Sequence, residues 1–376
     1  MELKRNIIQI VPRRAREPDG IGDYATLLAR ALLERAGTNS VFLSGTPARM
    51  ELPRADNWHT VPVLARTGSA LVAQLSELCR NTAPVAAVIH VSGYGYEKRG
   101  VPFWLLHGLR TWRRTHANCS VLGVFHELFA TGPIWNSSFW LSKAQKHITQ
   151  GIWDLCDAAL TTTAPYFEQL VAWRPDMAHM LRTMPVSSNV GEPSVVPSPE
   201  ERRRNIVVFG QPGTEDKVYR EPWGALSASV VETLGIKGII DIGTRKTAPP
   251  GLVGPAPVTT IGQLAPDRVS SELISCRFGL LNYDIARLQK SGVFAAYAAH
   301  GVIPICIGSQ AKPSVGLEEG QHFLAWPPNV IPDHGMMQRR LARWYEDHSI
   351  GKHAEALASR CRSERPISGI QGAISA

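Results

Sequence analysis

No two cysteines in this 376-residue chain lie closer than thirty positions. The six, at positions 79, 119, 156, 276, 306 and 361, therefore make none of the short-spaced pairs that a cysteine zinc site needs. Nor do they mark a secreted disulfide scaffold. Several sit in apolar stretches, Cys306 within VIPICIG, where a small buried thiol is expected. No apolar run reaches the roughly 20 residues that span a bilayer; the longest, Val293 to Gly308, is interrupted by His300 and Pro304. The opening MELKRNIIQIV is too short an apolar run for a signal peptide and has no small-residue cleavage site, so a cytoplasmic protein is expected. There is no repeat of solenoid period and no low-complexity tract.

Acidic residues are in deficit. Forty Lys and Arg stand against 32 Asp and Glu, a net charge of +8. Up to Ser188 the counts are 20 and 14, so the excess lies mainly in the first half, which suggests an anionic partner there. The 44% apolar and 19% charged composition excludes wholesale disorder.

Short β-branched runs alternate with helical patterns. NIIQIV at 6, SVFL at 40, AAVIHV at 86, SVLGVFH at 120 and AALTTT at 158 are followed by NIVVF at 205, KGIIDIG at 237, FGLLNY at 278 and VIPICIG at 302. Continuous apolar runs are expected of strands buried on both faces of a parallel sheet. Ile21, Tyr24, Ala25, Leu28 and Leu32 recur at helical spacing, predicting a helix from about Gly22 to Arg35. The pattern breaks at MPVSSNVGEPSVVPSPEERRR, a linker composition. The reading is an α/β chain of two Rossmann-like domains facing across a cleft. They are divided as 1–184, a linker 185–204, 205–335, and a helical segment 336–376 expected to pack back on the first domain.

Ligands in such sheets bind beyond the carboxyl ends of the strands, so the loops there carry the chemistry. PRRAREPDGIGDYA supplies Arg13, Arg14, Gly20 and Gly22. Its G-x-G-x-x-A is not placed as a dinucleotide turn, because it trails the strand and no Asp or Glu follows the second strand to hold a ribose. It reads instead as a glycine turn bringing a helix N-terminus to an anion. His126 and Glu127 close the run SVLGVF, where a histidine can bond a sugar hydroxyl or act as a base. HELFA lacks the second histidine of a zinc protease. FGQPGTEDKVYR offers Lys217 and Arg220 to a diphosphate. In NYDIARLQKSGVFAAYAAHG, Tyr283 ends a strand, and Lys290, Ser291, Gly292 and Val293 open an Ala-rich helix whose free N–H groups suit phosphate oxygens. VPFWLLHGLRTWRRTH alternates tryptophans with arginines and could lie on an anionic membrane, although such a helix more often packs on its sheet. No Asp-x-Asp pair marks a metal site.

These motifs resemble the GT-B glycosyltransferases, in particular the retaining family 4 (group 1) enzymes, over most of the chain. DGIGDYATLLARAL is similar to their N-terminal glycine loop, VFHE to the strand-end histidine that contacts the donor hexose, and NIVVFGQPG to the opening of the donor domain. SCRFGLLNYD…KSGVFAAYAAHGVIPICI is similar to their donor-binding segment. The resemblance implies transfer of a hexose from a nucleotide-diphosphate sugar to a glycan, lipid-linked or small-molecule acceptor, with no metal or other cofactor and no nucleic acid partner. Gly20, Gly22, Lys217, Arg220, Tyr283, Lys290, Ser291, Gly292 and Val293 would bind the donor, Arg13, Arg14 and Glu127 the acceptor, and His126 would serve catalysis. Peripheral contact with the inner membrane face is a further expectation. The chain departs from the family where its paired glutamates align with Leu288 and Ala296, and where its arginine aligns with Gln211. A non-catalytic nucleotide-sugar-binding or accessory role is the alternative.

Overall fold

The computed structural model describes residues 5–14, 19–46, 58–131, 135, 137–210, 215–220, 222–245, 247–308, 311–328 and 331–361. The first sheet contains β1 (Arg5–Val11), β2 (Thr38–Ser44), β3 (Thr60–Pro62), β4 (Ala86–Val91), β5 (Ser120–Phe125), β6 (Ala158–Thr161) and β7 (Leu181–Thr183). Its order is β3-β2-β1-β4-β5-β6-β7, with every pairing parallel. The second contains β8 (Arg203–Phe209), β9 (Gly238–Ile242), β10 (Leu252–Val253), β11 (Ala256–Gly262), β12 (Cys276–Leu281), β13 (Ile303–Ile307) and β14 (Leu324–Trp326). Its order is β10-β11-β9-β8-β12-β13-β14, parallel except for the short β10–β11 pair. All nine strands expected from the apolar runs form. Their burial on both faces, complete along β4, β9 and β13, is what a two-sided parallel sheet demands.

Helices cover both faces of the first sheet. Phe103–Thr115 packs beside Gly68–Thr82, burying Leu105, Leu109 and Trp112 in one core with Leu71 and Leu75. Its Arg113 fixes Asp157 with two 2.9 Å bonds. The apolar face of this helix is thus spent inside the protein, and it cannot also enter a membrane.

On the opposite face the helix Gly20–Ala36 meets the C-terminal helix Ile350–Cys361. Leu28, Ala31, Leu32, Ala354 and Leu357 share one core, while Ala25 and Ala29 of the same helix pack on Val11 and Phe42 of the sheet. The preceding helix, His334–Glu346, stays with the second sheet through Leu341 and Tyr345. The chain therefore changes sides between Glu346 and Ile350, not at the start of the C-terminal helical segment.

Two crossings join the halves, and they are tied to each other. Tyr345 Oη accepts from the Ser188 N–H at 2.9 Å and donates to Glu192 Oε1 at 2.8 Å. The same carboxylate oxygen accepts from the Ile350 N–H at 2.9 Å. Buried His353 completes the knot. One ring nitrogen faces Tyr24 Oη at 2.7 Å and the other Pro185 O at 3.1 Å, so Nε2–H donates to the carbonyl and Nδ1 accepts from the phenol.

Candidate functional site

Both sheets present their carboxyl ends to one cleft of about 570 Å³. The turn after β1 contributes Arg13, Asp19 and Gly20, β4 contributes Ser92, β5 His126 and Glu127, and β6 Thr162. The crossing segment adds Ser187, Ser188 and Asn189. From the other side come Gly210 after β8, Asn282 and Tyr283 after β12, and Lys290 to Val293. These ends flank the points where strand order reverses, between β1 and β4 and between β8 and β12, which is where open α/β sheets take ligands.

The Ala-rich helix begins at Gly292 and runs to Ala299. Ser291 caps it, its hydroxyl accepting from the Phe294 N–H at 3.1 Å. The N–H groups of Gly292 and Val293 have no acceptor among the described residues, so the positive end of the helix opens onto the cleft. Lys290 stands beside it. Its ammonium donates to Tyr166 Oη at 2.9 Å and lies 4.7 Å over that ring, reaching from the second half to the helix Ala164–Trp173 of the first. Four further polar atoms lining the cleft, Thr162 Oγ1, Ser187 Oγ, Asn189 Oδ1 and Asn282 Nδ2, are buried without a hydrogen-bond partner among the described residues. Unpaired buried polar atoms are costly, and four around one cleft suit a polar ligand.

His126 sits on the facing wall, at the end of a buried relay. Gln9 Nε2 donates to Ser40 Oγ at 3.0 Å, which turns its Oε1 towards His90 Nε2 at 2.9 Å. A carbonyl oxygen only accepts, so His90 carries its proton on Nε2 and offers a bare Nδ1 to His126 Nε2, 3.1 Å away. The network thereby assigns His126 the Nε2–H tautomer, with Nδ1 left to accept. Burial holds His90 well below the usual histidine range, and the neighbouring His126 adds to this. Burial, then the Lys290 ammonium and His353, bring His126 down to about 3. Both rings are neutral at ordinary pH. His126 thus presents Nδ1 as its remaining acceptor at the cleft.

The structure brings Arg13, Gly20, His126, Glu127, Tyr283, Lys290, Ser291, Gly292 and Val293 together at one cleft. It places the other expected residues elsewhere. Arg14 is buried in the core, its guanidinium 3.9 Å over the Phe42 ring and bonded to Thr60 Oγ1 at 2.5 Å, so it cannot meet an acceptor. Gly22 lies inside the helix with its N–H on the capping Asp19 carboxylate at 2.9 Å. Lys217 and Arg220 are exposed and do not line the cleft; Arg220 donates to Thr247 Oγ1 at 2.7 Å. Gln211 lies outside the described residues. Leu288 and Ala296, aligned with the family's glutamates, are both packed in the apolar core.

Sequence reasoning missed Ser92, Thr162, Asn189 and the relay of Gln9 and His90. The signal for Ser92 and Thr162 was present: each follows a buried run directly, and the strand-end rule applies there as it does at His126. Among the described residues no group of three or more His, Cys, Asp or Glu could hold a metal ion.

No protein-family model matches the chain, and no curated protein matches its sequence. Solved structures match its fold. The lipopolysaccharide outer core galactosyltransferase WaaB, in its apo form, aligns with a TM-score of 0.54 at 12% identity, over 94% of this chain and 99% of that one. An alpha-glucosyltransferase in complex with UDP-glucose and DNA containing an abasic site aligns at 0.51 with 10% identity, over 95% and 94%. The UDP-GlcNAc 2-epimerase from Methanocaldococcus jannaschii aligns at 0.50 with 10% identity, over 94% and 99%. The shared architecture is the GT-B fold, two Rossmann-like units facing across a cleft.

Proposed function

We propose that this chain is a glycosyltransferase that binds a nucleotide-diphosphate sugar in the cleft and moves the sugar to an acceptor held by the first half. The observation that carries the reading is the free helix start at Gly292 and Val293, with Lys290 beside it and His126 opposite. The amides and the ammonium would receive the diphosphate and the negative charge it gains as the sugar leaves. This protein-supplied charge is the basis for proposing a metal-independent transfer. His126 Nδ1 would accept from a donor hydroxyl. UDP is the first nucleotide to try, because neighbours of the same fold were solved with UDP or UDP-glucose. Membership of family 4 remains part of this proposal, supported by the motifs and not by the paired glutamates.

A second reading, a binding or accessory protein without turnover, is favoured by the apolar residues at Leu288 and Ala296. One experiment separates the two. Thermal stabilisation by UDP or UDP-hexoses, followed by UDP release when cell extract is added as acceptor, supports transfer. Stabilisation without release supports the second reading, and no stabilisation by any nucleoside diphosphate refutes both.

Peripheral membrane contact is proposed for a different surface from the helix Phe103–Thr115. Trp135 and Trp140 are 81% and 69% exposed, with Phe139 also exposed, and Lys143 and Lys146 follow. No acidic residue occurs between Glu127 and Asp154. Aromatic and basic side chains together suit an anionic interface. No helix among the described residues is long and apolar enough to cross a membrane. The acceptor is proposed to be a glycan, a lipid-linked glycan or a small molecule, and not nucleic acid, although one neighbour was solved with DNA. A gel shift with DNA checks the exclusion.

A further inference from the structure

We propose that Gln9 and His90 are positioning residues that fix which way His126 reads the donor sugar, so that the cleft takes a sugar group carrying a hydrogen at that point and refuses one that can only accept. This rests on the reading of the cleft given above and adds a requirement to it, one that holds for either stereochemical outcome.

Gln9, Ser40 and His90 stand among apolar neighbours and are 0%, 1% and 0% exposed. Burying them is costly unless they satisfy one another, and strand register explains how they do. Phe42 and Val88 are the register partners of Gln9 on β2 and β4, and Val124 is the partner of His90 on β5. Ser40 lies two residues before Phe42, His90 two after Val88, and His126 two after Val124. With a side-chain period of two, all four project from one face of the sheet. They form a diagonal across the neighbouring strands β2, β1, β4 and β5 that ends at the cleft.

The hydrogen bonds along this diagonal run one way. Gln9 donates to Ser40 Oγ at 3.0 Å and accepts from His90 Nε2 at 2.9 Å, and His90 Nδ1 accepts from His126 Nε2 at 3.1 Å. The two rings have centroids 5.4 Å apart and planes only 13° apart, so they meet edge to edge in nearly one plane. That places the shared hydrogen close to the line between the nitrogens, as a well-aligned bond requires. Tyr24 packs edge-on against both rings, at 5.8 and 5.2 Å. Burial keeps both rings neutral, so neither carries the second N–H that would let it donate at both ends. Lys290 favours the same sense. Its ammonium acts on His126 from across the cleft, and a cation is met better by a lone pair than by an N–H. A sugar hydroxyl at Nδ1 is therefore met as a hydrogen-bond donor.

Two measurements on the full chain test this. Proton–nitrogen correlation spectra of protein labelled at its histidine ring nitrogens, assigned by the signals lost in His126→Ala, are expected to show His126 protonated at Nε2 and bare at Nδ1. Affinities for UDP-glucose and UDP-galactose are then compared with those of analogues in which each hexose hydroxyl in turn is replaced by hydrogen or by fluorine, which accepts weakly and cannot donate. At one position both replacements are expected to weaken binding alike, by roughly 3- to 10-fold for one neutral hydrogen bond, and the penalty is expected to vanish in His126→Ala. Gln9→Met removes the acceptor beneath His90. It is expected to protonate His126 Nδ1 in part of the molecules and to make the fluorine analogue at that position bind more tightly than the hydrogen one, while UDP affinity holds. A proton on His126 Nδ1 in the wild type, a fluorine analogue that binds like the parent at that position, or wild-type ring polarity and sugar preference in Gln9→Met overturns the proposal and leaves the UDP site standing. Failure of every UDP-sugar to bind removes the underlying reading of the cleft, and the proposal with it.

Discussion

Replacing Lys290 with methionine keeps the length of the side chain and removes its charge. In the free protein the ammonium is already occupied, bonded to Tyr166 Oη at 2.9 Å and 4.7 Å over the ring. A diphosphate must draw it away. A hydrogen bond to a charged group contributes about 1.5–3 kcal/mol, and the surrendered cation–π contact offsets about 0.5–1 kcal/mol of that. The net loss in Lys290→Met is therefore about 1–2 kcal/mol, roughly a 5- to 30-fold weaker Kd for UDP. Titration calorimetry at low and high salt reads it, with the wild type showing the steeper salt dependence. A second readout is independent of ligand. Lys290 is among the causes that depress His126, so the variant should raise the His126 pKa, followed by NMR of the ring. Lys217→Ala, exposed and away from the cleft, should leave UDP affinity unchanged. Equal UDP affinity in wild type and Lys290→Met would refute the assignment of the phosphate-binding wall.

Arg14→Met should lower stability by about 1–3 kcal/mol in urea denaturation, through its lost bond to Thr60 and its place over Phe42, while UDP affinity stays the same. His353 is buried and neutral, lowered from 6.5 to about 4 by desolvation first. Between those values the unfolded chain binds a proton that the native chain does not, so stability is fully present above about 6.5 and is lost on acidification. Going from about pH 7 to about pH 5 should cost about 2 kcal/mol from this group, and urea midpoints across that range should fall less steeply in His353→Gln.

The architecture was legible because strands buried on both faces write themselves as unbroken β-branched runs; NIIQIV, AAVIHV and VIPICIG could hardly be anything else between helical patterns. β11 was not legible. APVTTIG lies near a sheet edge with most of its residues exposed or half-buried, so neither a continuous apolar run nor clean alternation marks it. The Gly292 helix start was readable from local chemistry, since a Ser-Gly pair before alanines is a cap whatever surrounds it. Arg14 was misplaced for the converse reason. Beside Arg13 in the sequence it looks equally free, and only the packing of Phe42 and Thr60 around it shows which arginine is spent in the core. The relay through Gln9 and His90 joins residues from three strands, a relation that depends on strand order and so has no local signature.

The doubled crossing between the halves has a mechanical consequence. A single tether would let one half both swing and twist against the other. Two tethers fastened together at Glu192, Tyr345 and His353, like a door hung on paired pins, oppose that twist. Lys290 and Gly292 are thereby held facing His126 and Glu127, two jaws set in register by the hinge itself.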